Sequence, residues 1–323
     1  MKLNLLRLSG LLAAVIALGS PDVMAADYPT RPVRLVVGFG AGGPTDIPAR
    51  FIADKLSSLL GQQVVVENRA GAGGMLATRD VLSQPRDGHT LLICTHFESI
   101  NTVLYKNPQF SLDDLAPISL LTKYYYALSL SNTIPAKTFE EFVAYAKANS
   151  GAVGYVTIGV GSAQEIMARQ LERLAGISMN RVPYRGGPQV MQDLISGNVH
   201  LYVAPTLAVM PQYKGGQLKI LAVSSPERLK VAAEIPTVKE KGADFVRFGW
   251  LGVCAGKGTP QSVIDLLNRH IVSIVATPEY QTLIENAGSI PMSSPPSEVT
   301  AVLRQTVDDV ASTIREFGMQ QEQ

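Results

Sequence analysis

Four glycines lie between a β-branched run and a helix-like segment, in the stretch "RLVVGFGAGGPTDIPAR". Gly38, Gly40 and Gly43 have the spacing G-x-G-x-x-G, which is typical of loops that bind the pyrophosphate of a dinucleotide. Glu67 ends the next strand-like run, where such loops carry the acid that binds a ribose. Asp46 argues against a dinucleotide, because its carboxylate would face the pyrophosphate from the first helical turn. The motif alone therefore leaves the ligand open.

A helix N-terminus after a glycine turn offers free N–H groups and the positive end of a dipole. Such a turn can bind a carboxylate or a phosphate without any cofactor. A second loop of this kind, "GVGSAQE" at 159–165, follows another strand-like run. One loop would be a simple βα turn, whereas two matching loops favour a site that holds one anion from both sides of a cleft.

Motifs for catalysis and metal binding are absent from the sequence. There is no G-x-S-x-G and no H-E-x-x-H, and the four histidines show no ligand spacing. Cys94 and Cys254 have no C-x-x-C spacing, so they are not expected to form a zinc site. Neither a metal nor a cofactor is expected. Both cysteines lie in apolar runs, which favours two small buried side chains, while an oxidising compartment permits a disulfide as the alternative.

The N-terminal residues have the pattern of a secretory signal peptide. Lys2 and Arg7 precede the apolar run "LSGLLAAVIALG", and small residues follow at cleavage spacing, so residues 1–26 are expected to be removed. The run is too short for a confident membrane span. The charge balance, 28 basic against 27 acidic residues, gives no sign of a nucleic-acid partner. An exported, periplasmic and monomeric protein is expected.

Strand-like and helix-like segments alternate along the chain, which predicts an α/β fold. The strand–glycine–helix plan at 34–50 recurs at 153–171, which indicates two α/β domains. Long extended runs at 120–130 and 245–255 are the predicted crossovers. Domain 1 would comprise 27–125 plus 246–323, and domain 2 would be an insertion at 126–245.

Several ordered motifs resemble one family over the whole mature chain. They are "YPTRPVRLVVGFGAGGPTDIPAR", "LGQQVVVENRAGAGG", "DGHTLL", "VPYRGGPQVMQDLISGNV", "LKILAVSSPERL" and "EIPTVKEKG". Together they resemble the periplasmic solute receptors, or Bug receptors, of the tripartite tricarboxylate transporter family. The resemblance implies a type II periplasmic-binding-protein fold whose two domains close on a small carboxylate. It also implies membrane transporter subunits as partners. An exported enzyme on the same scaffold is the alternative.

The resemblance maps the carboxylate site to 39–46 and 159–165. The predicted ligand-binding residues are Phe39, Gly42, Gly43, Thr45, Asp46, Gly73, Thr95, His96, Gly161, Ser162, Ala163, Gln164, Glu165, Tyr184 and Pro205. The family commonly has Ser-His where this chain has Gln164 and Glu165. Glu165 has two interpretations: the last residue of an S-x-x-E capping box, or a carboxylate in the cleft that would favour a monocarboxylate with a donor group.

Overall fold

A computed structural model describes residues 28–158, 162–184, 188–242 and 246–317. The predicted signal peptide lies outside these residues. Strands and helices alternate as predicted. The strands are β1 (Val33–Val37), β2 (Val64–Asn68), β3 (Thr90–Thr95), β4 (Leu115–Ser131), β5 (Gly154–Thr157), β6 (Asn180–Pro183), β7 (Leu201–Pro205), β8 (Leu218–Val223), β9 (Phe248–Gly256) and β10 (Ser289–Pro291). The helices are α1 (Asp46–Leu60), α2 (Met75–Ser83), α3 (His96–Leu104), α4 (Phe139–Ala148), α5 (Ala163–Ala175), α6 (Pro188–Ser196), α7 (Thr206–Lys214), α8 (Gln261–Val275), α9 (Pro278–Asn286) and α10 (Pro296–Phe317).

The strands form two sheets that share β4. In the first sheet β2, β1 and β3 are parallel, β9 runs antiparallel between β3 and β4, and β10 pairs with β4. In the second sheet β7 and β8 pair with β4, and β5 runs parallel to both β7 and β6. We call the first sheet with its helices lobe 1 and the second sheet with its helices lobe 2.

β4 changes partners between Tyr125 and Tyr126. Residues up to Tyr125 pair with β9, and residues from Tyr126 pair with β7. The predicted crossover at 120–130 therefore lies within one long strand. β9 pairs only inside lobe 1, so the second connection falls at the start of the run at 245–255, where the Arg247 N–H donates to the Ser224 carbonyl. The domain boundaries at 125/126 and 245/246 stay a prediction.

The prediction for the cysteines was half wrong. Both side chains are fully buried, as expected, but Cys94 and Cys254 form a disulfide with a Cα–Cα distance of 5.8 Å. The antiparallel register of β3 and β9 sets Cys94 opposite Gly252 and Leu92 opposite Cys254. Because Gly252 has no side chain, the space beside the Cys94 sulfur stays open for its partner. The two strands are 160 residues apart, so the sequence did not show that they are neighbours.

Four helices begin where a strand ends at the junction of the lobes. α1 follows β1 through the glycine loop, α3 follows β3 directly, α5 follows β5, and α7 follows β7 directly. The largest hydrophobic core cluster continues from lobe 1 into lobe 2 through Tyr124, Tyr126 and Leu128 of β4. None of the helices in the described ranges is long and apolar enough to cross a bilayer.

Candidate functional site

The loop between β1 and α1 is shaped by Asp46. Its buried carboxylate accepts the Gly42 N–H at 2.8 Å, the Arg50 Nε–H at 2.7 Å and the Asn68 Nδ2–H at 2.8 Å. The Asn68 amide also donates to the Phe39 carbonyl at 2.9 Å, which ties the start of the loop to its end. Burial alone would raise the pKa of Asp46, but these donors hold it below its ordinary value.

The glycines of this loop have separate uses. A Cβ on Gly38 would lie 2.8 Å from the Gly74 Cα, so Gly38 allows two backbone turns to pack together. Gly42 has a φ of +74°, which a turn requires and other residues rarely adopt. A Cβ on Gly43 would lie 3.1 Å from the Gly40 carbonyl oxygen. Glu67, the candidate ribose acid, instead binds the Arg34 guanidinium through both oxygens, at 3.0 and 2.8 Å.

The start of α3 is a closed hydrogen-bond network. The Thr95 Oγ1 accepts the Phe97 N–H at 3.0 Å, and the Thr95 N–H donates to the Glu98 carboxylate at 2.6 Å, which completes a capping box. Burial raises the pKa of Glu98 to about 7 despite these donors. Burial lowers the pKa of His96 to about 4, with only partial opposition from the Trp250 backbone. His96 Nε2 lies 3.1 Å from the Tyr126 hydroxyl.

The start of α5 resolves the two interpretations of Glu165. The Ser162 Oγ accepts the Glu165 N–H at 3.3 Å, as a cap does. The carboxylate of Glu165 is fully buried and accepts from Arg169 Nη2 at 2.9 Å, with Arg181 Nη1 at 3.5 Å. Two guanidinium groups thus neutralise the carboxylate. Glu165 is not among the described residues that line the cleft. These contacts support the capping interpretation, and they give no support to a free carboxylate that repels a second ligand carboxylate.

The lobes meet around a narrow cleft. Its volume is about 40 Å³, counted as room for the centres of water molecules. The residues that line it are Phe39, Gly40, Gly43, Pro44, Thr45, Thr95, Phe97, Tyr124, Ile158, Gln164, Tyr202 and Pro205. These include Thr45, Thr95 and Pro205, the residues just before α1, α3 and α7, and Gln164 from the first turn of α5. Four positive helix ends therefore meet at the cleft, and none of these lining residues is charged.

Six of the predicted site residues line this cleft: Phe39, Gly43, Thr45, Thr95, Gln164 and Pro205. Asp46, His96, Ser162 and Glu165 are buried behind it, where they hold the loops, while Ala163 is half-buried and packs against the main core. Gly42 lines an adjoining groove of about 310 Å³ that shares Gly43, Pro44 and Tyr202 with the cleft. Gly161 lies outside the described residues.

Gly73 and Tyr184 are not among the lining residues. The Gly73 carbonyl accepts from Asn101 at 3.1 Å, and the Tyr184 hydroxyl donates to Asp193 at 2.8 Å. Sequence reasoning had placed both in the site. Each instead supports a neighbouring turn or helix.

Apolar and aromatic lining residues were missed. Tyr124 lies on β4, Tyr202 on β7, Ile158 directly after β5, and Phe97 on α3. The run "YYYALSLS" could have indicated some of them, because every second side chain on a strand faces the same side of the sheet. Tyr124 and Tyr126 do share a side, with ring centroids 5.7 Å apart. Tyr202 had no such signal, because only the pairing of β7 with β4 brings it to the junction.

Two α/β lobes joined at their edges, with helix N-termini around the cleft between them, define a two-lobed solute-binding protein. A family model for the tripartite tricarboxylate transporter family receptor matches residues 48–319. Protein BugT of Bordetella pertussis is 31% identical over 319 residues, which is 98% of each chain. The chain belongs to this receptor family.

Solved structures agree with that assignment. The periplasmic binding protein BugD is 31% identical and superposes with a TM-score of 0.86 over 91% of this chain and all of its own. The R. palustris protein Rpa4515 with adipate is 28% identical, with a TM-score of 0.84 over 89% and 98% of the two chains. MatC of Rhodopseudomonas palustris with bound malate is 26% identical, with a TM-score of 0.82 over 89% and 100%. The type II periplasmic-binding-protein fold predicted from the sequence is confirmed.

Proposed function

We propose that this protein is an extracytoplasmic receptor that captures a small carboxylate between its two lobes. The convergence of four helix N-termini on a cleft lined by uncharged residues carries the proposal. First-turn N–H groups lack intrahelical acceptors, and the helix dipole favours an anion beside them. Structures of relatives with adipate and with malate support a carboxylate as the ligand class.

Main-chain groups, not a basic side chain, would hold the carboxylate. In the loop before α1, the Gly42 N–H is used by Asp46 and the Gly43 N–H by the Gly40 carbonyl, so the loop arrives preformed. Thr45 and Thr95 lie on the lobe 1 side of the cleft and Gln164 on the lobe 2 side. The ligand would contact the polar groups on both sides of the cleft only when the lobes enclose it.

The family supports delivery to membrane subunits of a tripartite transporter, and a periplasmic location after removal of residues 1–26. Binding without turnover separates this function from an exported enzyme on the same scaffold. Among the described residues that line the cleft, the hydroxyl groups are those of Thr45, Thr95, Tyr124 and Tyr202. None of them lies beside a general base in that lining, and His96 is buried behind it.

Mass spectrometry of metabolites released from the denatured, purified protein tests the proposal directly. We expect a small carboxylate in near-stoichiometric amount, and we expect the same compound to raise the melting temperature when added back. The compound should be recovered unchanged after prolonged incubation. A co-purified ligand without a carboxylate, or conversion of the compound to a product, would refute the receptor function.

A further inference from the structure

Gln164 is a fully buried amide at the junction of the lobes. It lies in the first turn of α5, is 1% exposed and lines the cleft. Its Oε1 is buried without a hydrogen-bond partner among the described residues. Buried polar atoms are nearly always paired, and an unpaired acceptor beside a cleft indicates a donor that a ligand brings.

The neighbouring Tyr202 indicates which way the amide points. Burial raises the pKa of the Tyr202 hydroxyl, and the Gln164 side chain opposes that rise, as an N–H donor does. Asp193, an acceptor, has the opposite effect on the pKa of Tyr184. The Gln164 side chain thus interacts with the Tyr202 hydroxyl, and Oε1 is the atom of the amide that is left without a partner among the described residues.

The chemistry of the cleft restricts the donor. An ionised carboxylate has no proton to donate to an amide oxygen. An ammonium would be enclosed without a carboxylate among the residues that line the cleft, since the Glu165 carboxylate is bound by Arg169 and Arg181. A hydroxyl satisfies the acceptor without adding charge.

Building on the proposed receptor function, we propose that Gln164 is a specificity-determining residue that accepts a hydrogen bond from a ligand hydroxyl. The protein then prefers hydroxycarboxylates to the same acids without the hydroxyl. The gain expected from one such bond is about tenfold in affinity.

Calorimetric titration with matched pairs tests the proposal. The pairs are acetate with glycolate, propionate with lactate, succinate with malate, and adipate with 3-hydroxyadipate. The wild-type protein should bind the hydroxylated member of its best pair about tenfold more tightly. Gln164→Met keeps the side-chain length but removes the amide, and it should bring the ratio close to one while affinity for the unsubstituted acid is kept.

Gln170→Met is the matched control. Gln170 lies on the same helix and also has a buried, unpartnered Oε1, but it does not line the cleft. This variant should keep the wild-type ratio. Tyr202→Phe is a second test in case Gln164→Met folds poorly, because loss of the hydroxyl frees the amide to rotate and should also lower the ratio.

The outcomes separate the two proposals. Carboxylate binding without a hydroxyl preference, or a preference that survives both Gln164→Met and Tyr202→Phe, overturns the role of Gln164 and leaves the receptor function intact. Failure of every acid in the panel to bind overturns the receptor function and this inference with it. A hydroxyl preference lost in both Gln164→Met and Gln170→Met would also overturn it, since the effect would then not belong to the cleft.

Discussion

At the scale of single residues, the glycines of the first loop show why the dinucleotide motif was misleading. Gly38 serves packing against Gly74, whereas Gly43 lines the cleft beside the Gly40 carbonyl. The spacing of the motif reflects tight backbone packing, which dinucleotide sites and carboxylate sites both need. Glu67 completes the resemblance in sequence but is bound by Arg34.

Gly43→Val should weaken carboxylate binding by roughly tenfold to a hundredfold, because the new side chain would push the ligand away from about one main-chain donor. The new side chain would press on the Gly40 carbonyl and enter the cleft. Titration and circular dichroism check the effect. Gly215→Val, at the C-terminal end of α7 and outside the residues that line the cleft, is the control that should bind normally. Unchanged affinity in Gly43→Val would contradict the main-chain site.

His96 and Glu98 make opposite contributions to the pH dependence of stability. The pKa of His96 is lowered from 6.5 to about 4, so the unfolded chain binds the extra proton below pH 6.5 and stability rises with pH across this range. The pKa of Glu98 is raised from 4.5 to about 7, so the folded protein holds the extra proton and stability falls with pH. The two effects largely cancel between pH 4.5 and 6.5.

Single substitutions should expose each contribution. Relative to wild type, Glu98→Gln should gain stability as pH rises from 4.5 to 6.5, by on the order of 2–3 kcal/mol, because only the His96 effect remains. His96→Asn should show the reverse trend. Urea unfolding at several pH values measures both. Two variants with the wild-type slope would show that these groups do not titrate as described.

Glu165 marks the limit of residue-level prediction. The S-x-x-E pattern correctly indicated a cap at Ser162. It gave no hint of Arg181, which comes from β6 and reaches the same carboxylate. The electrostatic state of a buried acid depends on such distant partners, so its role in specificity was not predictable from local sequence.

At the scale of elements, periodicity and capping signals predicted most helices and strands. α1 spans Asp46–Leu60 and ends at Gly61 with a φ of 68°, as the glycine indicates. The start of α8 departs from its local pattern: a Thr-Pro pair favours Thr259 as N-cap, but the helix begins at Gln261 and Pro260 is the residue before it. Local sequence patterns carry no information about which remote strands pair. The disulfide between β3 and β9 was therefore not predicted.

Removal of that disulfide should lower the free energy of unfolding by roughly 2–5 kcal/mol, because it closes a long loop in the unfolded chain. Cys94→Ala combined with Cys254→Ala is the variant, and thermal unfolding with and without reductant is the measurement. Reductant should destabilise the wild type and leave the double variant unchanged. Alkylation of both thiols in unfolded, unreduced wild type would show that the bond is absent.

At the scale of the whole molecule, Ser224 ties together the two connections between the lobes. Its N–H donates to the Tyr126 carbonyl at 2.8 Å, and its Oγ accepts from the Tyr126 N–H at 2.9 Å. The same Oγ donates to the Arg247 carbonyl at 2.5 Å. The sequence predicted that crossovers lie near these positions, but it did not indicate that one serine joins them.

The narrowness of the cleft bears on how a ligand enters. About 40 Å³ of room leaves no wide passage for a ligand, so entry requires the lobes to separate. We propose that they rotate about Tyr125–Tyr126 and the chain near Arg247. Gly249 lies beside this second connection and has no room for a Cβ against the Tyr124 ring, so the ring packs directly on the strand.

Small-angle scattering should therefore give the free protein a larger radius of gyration than the protein saturated with its co-purified carboxylate. Ser224→Ala removes the side-chain bonds to both connections and should enlarge the free protein further, while the saturated variant matches the saturated wild type. Ser273→Ala removes a serine hydrogen bond that lies within α8, so this variant is the control and should scatter like wild type. Equal radii for the free and saturated wild type would contradict hinge closure, and a Ser224→Ala radius equal to that of wild type would place the restraint elsewhere.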